Sequence, residues 1–211
     1  MKMKTRLIAS LLILGLFACN NSNKNESSDS GEQQEANEDT VTSVSYAIDT
    51  TSLVNWKGSM IGVYAHEGTI SFKEGSLTIT GGIVSEGVFV VDMSSMVTTD
   101  DDALYEMAPR EKLIGHLQSD DFFSVETFPT SSFTVKSATE GSITGDLTIK
   151  GVTNEETVTN VSINEDGGKL SASGNLTFDR QVYGISYKNT MGDMVLADEI
   201  ELRIELLATK K

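Results

Sequence analysis

Eight consecutive residues near the C-terminus, Glu199-Ile200-Glu201-Leu202-Arg203-Ile204-Glu205-Leu206, set an apolar side chain at every second position and a charge at each position between. A period of two belongs to a β-strand; helix faces repeat near 3.6 residues. One face of this strand must be buried and the other wetted, so the chain must supply further strands to cover the apolar face. The alternation recurs in Ser76 to Thr80, Ser142 to Lys150, Val161 to Ile163 and Lys169 to Phe178, in short runs parted by Gly, Asn, Asp and Ser. Gly75, Gly145 and Gly174, each followed by x-Leu-Thr, read as turn residues opening three of these strands. The expectation is an all-β fold of about eight to ten antiparallel strands, and a closed barrel is the arrangement that leaves no exposed edge.

The segment from about Asp100 to Gln118 breaks the alternation. Asp100, Asp101 and Asp102 suit a helix start, Pro109 suits a first helical turn, and Leu113, Ile114 and Leu117 share one stripe, which predicts a short helical insertion across one barrel end. The acidic triplet lacks the spaced ligands and turn glycine of an EF-hand, so a solvated cap is the expectation rather than a calcium site.

The N-terminus carries a different message. Lys2, Lys4 and Arg6 precede an apolar run from Leu7 to Phe17 that is too short to span a bilayer but has the length of a signal-peptide core. Leu16-Phe17-Ala18-Cys19 then looks like a bacterial lipobox, predicting a signal peptide over 1–18 and an acylated Cys19. Cys19 is the one cysteine, so no disulfide framework is possible. Two or three acyl chains on it would give stable attachment to a membrane, since each buried methylene contributes ~0.8 kcal/mol. Residues 19–40 otherwise hold almost only Asn, Ser, Glu, Gln, Asp and Gly; such a segment cannot bury enough surface to order itself and reads as a tether with a span of ~25 Å. Residues 41–211 then form one domain. The expected location is the bacterial cell envelope at the outer membrane, on either its periplasmic or its outer face.

The formal charge of the chain is -15, and the part left after removal of Lys2, Lys4 and Arg6 is more negative still. A surface of that sign repels phosphate backbones, which argues against nucleic acid as a partner. No His-Glu-x-x-His zinc motif, Gly-x-Ser-x-Gly nucleophile elbow, phosphate loop or dinucleotide fingerprint occurs, and Cys19 is taken by lipid, so a non-catalytic binding protein is favoured over an enzyme.

Several passages, in order, resemble the YceI-like family, lipocalin-like barrels that bind polyisoprenoid lipids. They are Tyr46-Ala-Ile48-Asp49 with Ser52 and Trp56, His66-Glu67-Gly68, Val91-Asp92-Met93, and Leu113 through His116, Ser119, Asp121, Phe122 and Phe123 to Val125 with Phe128-Pro129. Gly145-Asp146-Leu147-Thr148 running to Gly151-Val152-Thr153, then Asp179-Arg180 with Tyr183-Gly184, complete the set. The chain departs from the family at Asn154-Glu155-Glu156, where Lys-Pro is usual, and at Gln181-Val182-Tyr183-Gly184-Ile185, where a hydrophobic pair and Gly-Met are usual. Both departures fall where they can alter a loop or one wall of a cavity.

The resemblance implies an eight-stranded barrel whose lumen takes an isoprenoid, with no cofactor and no metal. The implied apolar lining is Trp56, Tyr64, Phe72, Phe89, Phe122, Phe123, Phe133 and Phe178, although each aromatic taken singly also fits plain core packing. Phe122 and Phe123 are the pair favoured for lumen contact, since adjacent side chains on a regular element face opposite ways. His66 and His116 either meet a polar head group, bind a metal together, or pack with backbone partners. Arg180 either anchors an anionic head or pairs with Asp179. A homodimer is compatible with the sequence, and the rival reading is a filled barrel that serves as a stress-response or protein-interaction module.

Overall fold

The structure, a computed structural model, describes residues 41–106, 108–187 and 195–211; the expected signal peptide, Cys19 and the tether lie outside the described residues. Its strands are β1 (Ser43–Ile48), β2 (Leu53–Met60), β3 (Tyr64–Thr80), β4 (Ile83–Asp92), β5 (Val97–Thr98), β6 (Thr130–Thr139), β7 (Ser142–Ile149), β8 (Val152–Asp166), β9 (Lys169–Asp179) and β10 (Leu196–Lys210). One α-helix, α1 (Arg110–Gln118), lies between β5 and β6. All pairings are antiparallel, and β10 pairs with both β9 and β2, which closes the sheet into a barrel.

The ten strands make eight staves because two staves are broken. β1 and β2 follow one another along β10, from Tyr46↔Lys210 to Ile48↔Ala208 and then from Leu53↔Glu205 to Met60↔Leu196. β5 likewise continues β4 along β3. At the first break the Asp49 carboxylate accepts the backbone N–H and the hydroxyl of Thr51, each at 2.9 Å. The Ser52 hydroxyl donates to Leu207 O at 3.1 Å and accepts from Leu207 N–H at 2.9 Å. It replaces the interrupted ladder, which is why a polar residue is buried there.

Tight hairpins join the staves at one end. Gly81 and Gly82 have φ of 60° and 82°, and Gly167 and Gly168 have 55° and 83°. Both pairs give the doubly left-handed two-residue turn that matches strand twist. This hairpin end is filled by Tyr46, Leu77, Ile79, Val84, Leu170 and Ala208. The other end carries α1 and residues 180–187 after β9, with a cluster of Phe122, Leu147, Ile149, Leu176, Phe178, Tyr183 and Ile185 and another of Trp56, Ile70, Met93, Met96 and Val125. No helix among the described residues is long and apolar enough to cross a membrane.

From Glu199 to Ala208 in β10 the even-numbered side chains face in and the odd-numbered ones face out, as the alternation requires. In β3 a bulge between Phe72 and Glu74 changes parity, so that Ile70 and Phe72 face in before it and Leu77 and Ile79 after it. Gly75, Gly145 and Gly174 correct the sequence reading: none opens a strand at a turn. They lie inside β3, β7 and β9, where a Cβ would come within 2.9 Å of Ile48, 2.6 Å of the Phe133 ring and 2.6 Å of Val158. Each glycine is a seat for a neighbouring apolar side chain.

The acidic triplet divides its roles. Asp101 accepts from Ala103 N–H at 2.8 Å and starts the 3-10 turn Asp102–Tyr105. Asp102 meets Arg110 at 2.6 Å and stays exposed. Asp100 departs from the expected solvated cap, because its side chain is only 6% exposed and turns inward.

Candidate functional site

A cavity of about 330 Å³ occupies the barrel interior. Its lining comes from β2, β3, β4, β6, β7, β8, β9 and β10 and from α1, and runs from Met60 and His66 at the helix end to Val84, Ile143 and Ile163 near the hairpin end. The eleven residues of β9 at ~3.4 Å each, tilted by ~40°, set the barrel height at roughly 28 Å. The space is therefore long rather than round. Inward positions of alternating strands are apolar by the rule that buries one face, so Val54, Ile70, Leu147, Ile149, Leu176, Ile200, Leu202, Ile204 and Leu206 coat it.

Trp56, Tyr64, Phe72, Phe89, Phe122, Phe123, Phe133 and Phe178 all lie on this lining, brought together from five strands and the segment after α1. Phe122 and Phe123 both reach it because that segment is a series of turns, with Ser124 at φ 47°, and not a regular element. Their ring centroids are 6.1 Å apart. Trp56 is seated against Gly68, where a Cβ would fall 2.5 Å from the indole, and its Nε1 is buried with no hydrogen-bond partner among the described residues.

Imidazoles and phenols gather at the helix end. His116, in the last turn of α1, stacks edge-on to Tyr187 at 4.6 Å and Phe122 at 5.1 Å, and its Nε2 lies 3.7 Å from Asp121. His66, on the inward face of β3, stands edge-on to Tyr64 at 5.1 Å and beside Tyr105 at 5.4 Å. Its Nδ1 is 2.7 Å from Asp100 Oδ2. Asp100 also accepts from the Tyr105 hydroxyl at 2.7 Å, Arg110 Nη1 at 2.9 Å and Glu67 N–H at 3.2 Å. Burial works against the Asp100 carboxylate, but the hydrogen bonds from Tyr105, His66 and Glu67 outweigh it and hold its pKa below the ordinary value. Sequence reasoning missed Asp100, Tyr105, Tyr187 and Arg110. Only the fold brings the 100–110 connection back onto β3. Among the described residues no group of three or more His, Cys, Asp or Glu is placed to hold a metal.

Arg180 is on the wall, not in the cavity. It is 3% exposed and donates to Ile185 O at 2.6 Å, Ala197 O at 3.0 Å and Asp198 Oδ1 at 2.9 Å. It thus ties the β9–β10 connection to β10, and Asp179 instead accepts from Gln181 N–H at 2.8 Å. The two departures from the family pattern meet each other. Tyr183, with no exposed surface, donates to Glu156 Oε1 at 2.9 Å, and burial followed by that carboxylate pushes its pKa up. Its ring stands edge-on to Phe178 at 5.3 Å, behind the lining.

The model of the YceI-like domain matches residues 46–208. The chain belongs to the YceI-like family. A UPF0312 protein of Staphylococcus aureus is 38% identical over 96 residues, which is 41% of this chain and 55% of that relative, so the chain spans about half the length of the curated relatives it matches. Among solved structures, Burkholderia cenocepacia BcnA superposes with a TM-score of 0.55 at 19% identity, covering 77% of this chain and 99% of that one. A polyisoprenoid binding domain from Saccharophagus degradans, implicated in plant cell wall breakdown, gives 0.54 at 16% identity, over 80% and 99%. At these identities the likeness to both structures is one of fold, and this YceI-like chain shares their barrel.

Proposed function

We propose that the protein is an envelope lipoprotein that binds a long-chain isoprenoid, of quinone or polyprenyl type, in its barrel lumen and performs no reaction on it. The observation that carries this reading is the form of the cavity: long, mostly apolar along the staves apart from Ser131, Ser132 and Ser173, and carrying the ring pairs Tyr64–His66 and His116–Tyr187 at the helix end. A prenyl chain needs the first property and its head group the second. Burial of about ten ligand methylenes supplies roughly 8 kcal/mol before the loss of chain freedom is subtracted. Membership of the YceI-like family and the polyisoprenoid binding domain of the Saccharophagus degradans protein support the same ligand class. Acylation of Cys19 and the tether would hold the barrel close to the bilayer that supplies such a lipid.

The test is native mass spectrometry of the mature chain carrying Cys19→Ser, expressed in a bacterium, with organic extraction of co-purified material. The expected result is a stoichiometric adduct of prenyl mass. A chain that emerges empty and takes up neither added long-chain quinones nor polyprenols overturns the reading and favours a protein partner on the acidic outer face.

A further inference from the structure

His66 has a fixed tautomer, and that has a consequence for which polar heads fit beside it. Its Nδ1 faces two oxygens, Asp100 Oδ2 at 2.7 Å and the Tyr105 hydroxyl at 3.2 Å. Neither has a proton to offer. The Tyr105 hydroxyl hydrogen is directed to Asp100 Oδ1 at 2.7 Å, and Asp100, surrounded by Tyr105, Arg110, Glu67 N–H and His66, is a carboxylate that only accepts. The proton between His66 and Asp100 must therefore sit on Nδ1. In a neutral ring this leaves Nε2 as a bare lone pair. The hydrogen bonds of the ring to described residues are both at Nδ1 and none is at Nε2, the side chain keeps 20% of its surface accessible, and the residue lines the cavity. The ring itself is clamped between Tyr64 and Tyr105, and Arg110 stacks on Tyr105 at 4.2 Å, so it is not free to turn over.

Resting on the reading of the lumen as an isoprenoid site, we propose that His66 Nε2 accepts a hydrogen bond from the ligand and so selects isoprenoids that end in a hydroxyl donor, alcohols or hydroquinones, over those that present only acceptors. An ether or carbonyl oxygen placed at Nε2 would set lone pair against lone pair in an apolar chamber, where the loss is not relieved by water. Asp100, Tyr105 and Arg110 are positioning residues in this arrangement: they touch the imidazole or its carboxylate, not the ligand.

The experiment uses a matched pair of probes, geranylgeraniol and its methyl ether, which share one apolar chain and differ in the donor. Binding to the mature Cys19→Ser chain is followed by the emission of Trp56, the single tryptophan, which lines the cavity. The alcohol is expected to bind roughly tenfold more tightly than the ether, the size of one hydrogen bond. In His66→Leu that ratio is expected to fall to about one, with the affinity of the ether little changed. Equal affinities in the unsubstituted protein, or a tighter ether, overturn the selection while leaving the lumen reading intact. Failure of both probes to bind overturns the lumen reading itself. Nitrogen-15 NMR of the unsubstituted protein tests the same idea without a variant. It is expected to show His66 with Nδ1 protonated and Nε2 bare, and an Nε2–H resonance overturns the proposal.

Discussion

Filling the lumen from its own wall separates a barrel that carries a ligand from one that is simply packed. Gly58 faces inward on β2, between His66 on β3 and Ile200 on β10, and a Cβ built there meets only Ile200 Cδ1, at 3.7 Å, an ordinary contact. Gly58→Leu should therefore grow into the cavity without displacing the wall. Burial of a leucine side chain in space already enclosed contributes about 2 kcal/mol, and relief of a strand glycine adds about 0.5 kcal/mol. For a domain of this size the thermal midpoint of the ligand-free protein should rise by roughly 5 °C. The same side chain takes the place of about four ligand carbons. At ~0.8 kcal/mol each that is roughly 3 kcal/mol, or on the order of a hundredfold in Kd. The assay pairs thermal unfolding with titration of a polyprenol against Trp56 emission. A raised midpoint with unchanged affinity would show that the ligand does not sit in the lumen. A lowered midpoint would show that the space beside Gly58 is already filled.

Gly68→Ala should have the opposite effect, since its Cβ would fall 1.9 Å from Val97 O and 2.5 Å from the Trp56 ring; a loss of about 2–3 kcal/mol in urea unfolding is expected, and a neutral outcome would disprove the seat described for Trp56. Arg180→Ala should cost about 3 kcal/mol in the same assay, because Ile185 O and Ala197 O lose their side-chain donor and Asp198 its partner, whereas a loss below 1 kcal/mol would mean that water replaces it. The folded Asp100 carboxyl has a pKa below its ordinary 3.8, so its contribution to stability is present above about pH 4 and disappears as pH falls through the folded value. Asp100→Asn should remove that part of the acid dependence, and identical acid unfolding profiles for the two proteins would contradict it.

The strand pattern was legible because it needs no knowledge of the partner. Alternation in Glu199 to Leu206 commits one face to burial wherever the strand is placed, and the even-numbered residues do face in. Six of the lumen aromatics were legible for a related reason, since residues on the inward phase of a barrel strand have nowhere else to go; Phe122 and Phe123 reach the same lining from turns, which strand phase does not explain. The glycines misled because Gly is ambiguous in sequence. At Gly81 and Gly82 it supplies positive φ, and at Gly75, Gly145 and Gly174 it supplies absent volume, and only the neighbouring strand distinguishes the two. Arg180 misled similarly, since adjacency in sequence with Asp179 says little about a guanidinium that reaches across a turn to Asp198.

By itself, then, the sequence determined the strand phase, the closed all-β class and the presence of a short helical insertion, all of which follow from local periodicity and from backbone preferences. Tertiary structure alone decided that the interior stays hollow, since that depends on how side chains from eight staves and a helix fail to meet. It alone also decided that Asp100, thirty-four residues from His66 along the chain, is its partner at 2.7 Å. A hydrogen bond is set by distance in space, and no periodicity along a strand encodes where a connection folds back.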